Sequence, residues 1–264
     1  MGWKILGRAE KALIIKKIKD AKTAVFFLDY DGTLTPIRKK PHYARIKKET
    51  RDLLKRLSGR KGTRVFILSG RSISDIKSLL RLNTIYYIGN HGIELKGPRG
   101  YSYIYPPAVA AIPAVQRCYR ALRKKIKFKG IALENKKYTL SLHYRGAFQK
   151  DVPLIKKIFR NTIKGLKDAS EIRVTSGKKV LEVRPNIDWD KGKILSKVLK
   201  QDARKKELPV CIGDDRTDED AFRALKKKGV SVVVSKHRKK TLAHYRLESP
   251  EKVVMFLKSV LQET

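Results

Sequence analysis

Ala24-Val25-Phe26-Phe27-Leu28-Asp29-Tyr30-Asp31-Gly32-Thr33-Leu34-Thr35-Pro36 decides how this chain is read. Its opening apolar run suits a strand buried on both faces of a parallel sheet. The run stops abruptly at two aspartates, a glycine and a threonine. At a period of two, Asp29 and Asp31 leave the strand on the same side of its carboxyl end, the edge where open α/β sheets hold their ligands. Two carboxylates that close repel, and one keeps its proton unless a cation lies between them. The stretch therefore predicts a divalent metal. An ordinary Asp-Gly turn would look similar over these residues alone, so the reading depends on the rest of the chain.

Outward from this strand, helical and strand patterns alternate. Residues 46–57 place Ile46, Leu53, Leu54 and Leu57 at helical spacing and stop at Gly59. Residues 64–68 form a second buried strand ending in Ser69-Gly70-Arg71, residues 72–80 a helix, and residues 85–88 a third strand ending in Gly89-Asn90-His91-Gly92. The alternation predicts a parallel sheet. From about Tyr105 the pattern changes: a helix over 106–126, strands 130–134 and 138–144 around Asn135-Lys136-Lys137, a helix over 152–163, and strands 171–175 and 180–183 around Ser176-Gly177. This is an α+β unit with an antiparallel sheet. Alternation resumes at Asp190, with helices over 192–199, 217–226 and 250–261 and strands 210–212 and 230–234. The expected fold is α/β, a Rossmann-like parallel-sheet core of residues 1–104 and 188–264, with an α+β cap inserted at 105–187.

Composition bounds the partners. The 264 residues include 63 Lys and Arg against 25 Asp and Glu, a formal net charge of +38 that attracts anions. The basic residues are spread over nearly every expected helix and loop, and no run is interleaved with the aromatics of a single-strand-binding surface. A dispersed solvated surface is expected rather than a nucleic-acid face. Cys118 and Cys211 are far apart and in no metal-ligand spacing, which suits a reducing compartment. No stretch reads as a signal peptide or membrane span, so a soluble cytoplasmic protein is expected. The first twenty residues read as a basic amphipathic helix that packs through Ala12, Ile14, Ile15 and Ile18.

A second acidic cluster follows the strand 210–212: Gly213-Asp214-Asp215-Arg216-Thr217-Asp218-Glu219-Asp220. Acids in a first helical turn favour the helix dipole, which accounts for Asp218 and Glu219 better than for two adjacent aspartates at a strand end. With Asp29 and Asp31 they make a set of hard oxygen ligands of the kind Mg²⁺ takes in phosphate sites. Ser69, Lys191 and the backbone N–H groups around Gly32 and Thr33 stand where they could offset a phosphate dianion.

The ordered series D-Y-D-G-T-L, L-S-G-R, D-W-D-K-G and G-D-D-R-T-D-E resembles the four motifs of the haloacid dehalogenase superfamily. With G-N-H-G, E-N-K-K-Y-T-L-S-L-H-Y-R and L-E-V-R-P, the chain is similar from Ala24 to about Val254 to the trehalose-6-phosphate phosphatase family. The resemblance implies Asp29 as nucleophile and Asp31 as general acid. It implies Mg²⁺ held by Asp29, Asp214 and the main-chain carbonyl of Asp31, with Asp215 and Asp218 behind these ligands. Ser69 and Lys191 would clamp the phosphate. Thr33, Arg71, Asn90, His91 and Gly92 would line the substrate site, and Lys136, His143, Arg145, Glu182 and Arg184 would meet the sugar. These cap residues could equally form a solvated sheet face with cross-strand ion pairs. The expected partner is a small sugar phosphate, with room for a trehalose-6-phosphate synthase as protein partner. Another sugar phosphate, such as sucrose 6-phosphate or a glycosyl phosphoglycerate, and a non-catalytic polyanion-binding or regulatory role remain the alternatives.

Overall fold

The computed structural model describes residues 4–38, 43–201 and 206–263. Contacts divide the chain into two compact units: residues up to Tyr103 together with those from Trp189 onward, and residues from Ile104 to Asp188.

The first unit opens with β1 (Lys4–Ile5) and α1 (Arg8–Asp20), followed by β2 (Thr23–Leu28), α2 (Lys48–Gly59), β3 (Thr63–Leu68), α3 (Ile73–Leu80) and β4 (Tyr86–Gly89). Two short strands, β5 (Glu94–Lys96) and β6 (Ser102–Ile104), end this half. The intervening unit contains α4 (Pro106–Ala110), α5 (Ile112–Lys125), β7 (Ala132–Asn135), β8 (Leu140–His143), α6 (Val152–Lys164), β9 (Ile172–Gly177) and β10 (Val180–Pro185). The first unit then resumes with α7 (Lys191–Gln201), β11 (Glu207–Gly213), α8 (Asp218–Leu225), β12 (Val230–Val234), β13 (Tyr245–Leu247) and α9 (Pro250–Glu263).

The larger sheet runs β1-β13-β12-β11-β2-β3-β4-β5-β6. All pairings from β1 to β4 are parallel, and β5 returns antiparallel to β4. The chain leaves β2 toward β3 and β4, then fills the other side with β11, β12 and β13. The strand order therefore reverses between β2 and β11, the point at which open α/β sheets bind ligands beyond the strand ends. Leu28 is in register with both Ile212 and Ile67, so the motif residues after each strand emerge at one edge.

Strand parity decides which helices meet each residue. Phe26 and Leu28 belong to a core with α1, α2, α3 and α9, whereas Val25 and Phe27 belong to a core with α7 and α8. The N-terminal segment differs from a single amphipathic helix. Lys4 and Ile5 pair with β13 before α1 begins, and Met1–Trp3 lie outside the described residues. Ile14, Ile15 and Ile18 are buried as expected, but Ala12 is exposed because the buried stripe faces away from it.

In the second unit the sheet order is β7-β8-β10-β9, antiparallel throughout. Leu140, Leu142, Leu181 and Val183 pack with α5 and α6 residues such as Cys118, Leu122, Ile155 and Phe159. The expected helix over 106–126 is two helices that meet at Ala111, because Pro113 has no N–H to continue the first. The second hairpin turns at Lys178-Lys179 rather than Ser176-Gly177, with Gly177 in register with Val180. Lys179 takes the left-handed conformation (φ 61°) that the tight turn demands, although it is not glycine.

Candidate active site

Asp29 continues the parity of Val25 and Phe27, so its side chain emerges toward α7 and α8. Lys191 opens α7 and Asp218 opens α8. The Lys191 Nζ donates to Asp29 Oδ1 at 2.9 Å and to Asp218 Oδ1 at 2.7 Å. All three are buried, with Lys191 only 2 % exposed. Burial alone would lower the Lys191 pKa, but the charges of Asp218 and Asp29 outweigh it and raise the value, so the ammonium stays charged. A cation at a helix N-terminus opposes the helix dipole, so carboxylate pairing, not the helix, holds Lys191 there. Burial raises the Asp29 pKa well above the ordinary carboxylate value; Lys191 opposes the rise, while the charges of Asp218 and Asp214 add to it.

Asp214 completes the cluster. Carboxylate oxygens of Asp29, Asp214 and Asp218 lie within 4.8 Å of one another, and two of these three buried carboxylates, Asp29 and Asp218, pair with the buried Lys191. The donor set fits a hard divalent cation, since oxygen ligands and surplus negative charge are what such an ion needs. The backbone is shaped to this cluster. Gly32 has φ +93°, and a Cβ there would collide with the Asp214 carboxylate; a Cβ at Gly213 would collide with Asp218. Beside them, the Thr33 hydroxyl is fully buried and makes no hydrogen bond among the described residues. Asp218 was expected behind the ligands, and its carboxylate does accept from both Lys191 Nζ and the Asp215 N–H (2.9 Å), yet it also belongs to the trio. The half-buried Asp215 uses Oδ1 to accept from the Arg216 N–H at 2.6 Å.

The Asp31 carboxylate pairs with Arg71 instead of joining this trio. Both of its oxygens accept from Arg71, Oδ2 from Nε at 2.6 Å and Oδ1 from Nη2 at 2.7 Å, and Arg71 Nη1 donates to Asp75 at 2.6 Å. Arg71, expected to meet substrate, is engaged with two carboxylates. Ser69 sits buried at the end of β3, with its hydroxyl accepting the Arg71 N–H at 3.2 Å. The next loop is tied to it, since Asn90 N–H donates to Arg71 O (2.7 Å) and His91 N–H to Ser69 O (3.0 Å). Asn90 and His91 both adopt positive φ, 48° and 57°. The Asn90 amide is fully buried and donates to Glu94 at 2.7 Å, the same oxygen that accepts the Ile73 N–H, so Asn90 builds the loop from within. The His91 ring fills the space beside Gly70, and the Gly92 carbonyl accepts from Trp189 Nε1 at 2.8 Å. Sequence reasoning missed Asp75, Glu94 and Trp189. The first two each stand four residues after a motif residue, Arg71 and Asn90, and that spacing was the available signal.

In the second unit, Glu182 is in register with Ser141, and Ser141 with Glu134. By parity this row lies on the sheet face opposite the leucines packed on α5 and α6. Glu182 Oε1 accepts from Lys136 Nζ at 3.2 Å and Ser141 Oγ at 3.0 Å, and Oε2 accepts from Arg184 Nε at 2.7 Å. His143 Nε2 lies 3.1 Å from Glu134, and Arg145 donates to the Lys178 carbonyl at 2.7 Å. Four of the five expected cap residues therefore share this face with Glu134 and Ser141, while Arg145 reaches the hairpin turn. Removing Glu182 would leave two mostly buried cations without their shared anion. Glu182→Ala is expected to lower stability by about 3 kcal/mol, measured by urea unfolding at neutral pH, while Glu182→Gln loses less because its amide oxygen still accepts.

The family model described as Trehalose-phosphatase matches residues 27–251. Trehalose-phosphate phosphatase B of Arabidopsis thaliana is 38 % identical over 255 residues, covering 91 % of this chain and 67 % of its own length. A solved Aspergillus fumigatus trehalose-6-phosphate phosphatase aligns with a TM-score of 0.68 at 28 % identity, over 100 % of both chains. The C-terminal domain of the C. albicans trehalose-6-phosphate phosphatase shares the fold, with a TM-score of 0.82 at 23 % identity over 99 % of this chain and 98 % of that one.

Proposed function

The chain belongs to the trehalose-phosphatase family, and from that premise we infer that it is a phosphatase of trehalose 6-phosphate that works through an aspartyl-phosphate on Asp29. The observation that carries the mechanism is the buried Asp29–Lys191–Asp218 cluster with Asp214, gathered where the strand order reverses. Phosphate-monoester hydrolysis is among the slowest uncatalysed reactions, with enhancements of up to ~10²¹ required. Covalent catalysis divides it into two easier displacements, and a carboxylate in its ionised form, which Lys191 favours, attacks without a base to take its proton.

In this reading Asp29 attacks phosphorus, and Lys191 stabilises the charge on the transferring phosphoryl oxygens. Asp31 gives a proton to the leaving sugar oxygen and later takes one from the hydrolytic water. Ser69 and the N–H groups around Thr33 hold the phosphate. Asp29, Asp214 and the Asp31 carbonyl would hold Mg²⁺, with Asp218 supporting Lys191 and Asp215 the loop. A bound Mg²⁺ would offset charge on the phosphate oxygens. His91 and Gly92 border the site, with Arg71 and Asn90 shaping it. On the second unit, Lys136, His143, Arg145, Glu182 and Arg184 recognise sugar hydroxyls, since polar side chains discriminate hydroxyls more sharply than apolar shape does. Among the described residues no helix is long and apolar enough to cross a membrane. We place the protein in the cytoplasm, with a trehalose-6-phosphate synthase as its candidate protein partner.

Phosphate release from trehalose 6-phosphate, sucrose 6-phosphate and glucose 6-phosphate, with and without Mg²⁺, tests the function. Strong preference for the first, lost with chelator, is expected. Equal slow release from all three would move the specificity to another sugar phosphate.

The raised Asp29 pKa adds a pH signature. A group whose folded pKa lies above its unfolded value stabilises the fold at low pH and loses that contribution as pH rises through the folded pKa. In the metal-free protein the ionised form of Asp29 is therefore disfavoured, and a divalent cation would offset that penalty. Added Mg²⁺ should raise Tm by several degrees at pH 8 and by little at pH 5, where protons compete for the site. A shift equal at both pH values would contradict the assignment of Asp29 as a ligand.

A further inference from the structure

We propose that Asp75 is a positioning residue for proton delivery, acting through Arg71 to hold the Asp31 carboxyl in its working orientation. The proposal rests on the phosphatase reading above. Arg71 has a side chain only 8 % exposed and lies over the Tyr30 ring, with its guanidinium carbon 5.5 Å from the ring centroid. Its fork binds both oxygens of Asp31 and thereby fixes the plane of that carboxyl, a constraint that a single hydrogen bond would not impose. The third arm, Nη1, binds Asp75 at 2.6 Å.

Asp75 is the fixed end of this relay. It sits in the first turn of α3, where the Ser72 hydroxyl accepts the Asp75 N–H at 3.2 Å and caps the helix. Ile73, Ile76 and Leu80 bury the other face of α3, so its first turn is anchored in the core. In the proposed reaction an Asp29 oxygen forms a bond to phosphorus while the bond from phosphorus to the sugar oxygen breaks. The electron pair of that bond goes to the sugar oxygen, which takes the proton from Asp31. An Asp31 carboxyl that carries a proton toward the sugar gives up part of the Arg71 fork. Tethered to α3 through Asp75, Arg71 stays in place and keeps the remaining bond directed.

The test compares two esters that differ in their need for a proton. A sugar alkoxide is a poor leaving group without one, whereas p-nitrophenolate leaves unaided, so only the first depends on proton delivery. In Asp75→Ala, kcat for trehalose 6-phosphate is expected to fall about tenfold, part of the 10²–10⁴ that general acid catalysis supplies, with KM within about twofold. Hydrolysis of p-nitrophenyl phosphate should change by less than about twofold. Asp75→Asn should recover most of the loss, because its amide oxygen still accepts from Nη1. An equal fall on both esters would overturn the proposal, since a merely structural or phosphate-binding role moves both. A rise in KM for both esters at constant kcat would overturn it in favour of Arg71 as a phosphate ligand, and unchanged kinetics would overturn it outright. If the native protein hydrolyses neither ester, the phosphatase reading itself fails, and this proposal falls with it.

Discussion

Asp29→Asn is expected to reduce phosphate release from trehalose 6-phosphate by about four orders of magnitude or more, because it removes the nucleophile together with one of the proposed Mg²⁺ ligands. The change is nearly isosteric, and the amide oxygen can still accept from Lys191 Nζ, now 2.9 Å from Oδ1. Fold should be retained. Stability of the metal-free protein at neutral pH should rise, since the substitution removes a carboxylate whose pKa burial and the neighbouring Asp218 and Asp214 hold high. A gain in Tm with a loss of turnover is the pattern of a site that gives up stability for function. The measurements are single-substrate phosphate release and thermal unfolding without metal. Retention of more than about a tenth of the native rate would remove Asp29 as nucleophile, as no neighbouring group could replace it so well.

Lys191→Met should have the second largest effect, and on two observables together. The ammonium is the buried cation shared by Asp29 and Asp218, with Asp214 close by. Its loss is expected to reduce kcat by about a thousandfold, the scale of removing one preorganised charge-stabilising group. It should also cost about 3–5 kcal/mol of stability at neutral pH, because breaking a buried pair strands its partners. The sign with pH follows from Asp29, whose raised pKa Lys191 now opposes: without Lys191 it rises further, so the penalty is greatest above the acid range and shrinks as Asp29 takes up its proton. Urea unfolding at pH 8 and pH 5 checks this. A deficit that does not shrink at the lower pH would mean that Lys191 contributes mainly by packing.

Much of the core site was legible before any fold was known. The runs ending at Leu28, Leu68 and Ile212 are apolar enough to be buried strands, and a carboxylate or hydroxyl directly after such a run has few other places to go than a ligand-binding edge. Parity also carries through. Because Asp29 shares the face of Phe27, its meeting with the first residues of α7 and α8 follows once those helices cover that face. The edges of the sheet were less legible. β1, β5, β6 and β13 have two or three residues each, too few to show a period, and their pairing depends on what already lies beside them. The break at Pro113 could have been inferred from the missing N–H. The Lys178-Lys179 turn could not, because Ser-Gly is the better turn sequence, and the cross-strand register overrode it.

By itself, then, the sequence determined the kinds of element, their order and the residues at the strand ends, since local periodicity and turn chemistry are written in neighbouring positions. Tertiary structure alone decided the pairings across long separations: Lys191 with Asp29, 162 residues away, Glu182 with Lys136, and Arg71 forked on Asp31. The physical reason is that charge pairing in a buried site depends on distance and desolvation, neither of which a linear pattern contains. Any of the 63 basic residues could have answered the carboxylate of Asp29; the packing of α7 on the sheet selected Lys191.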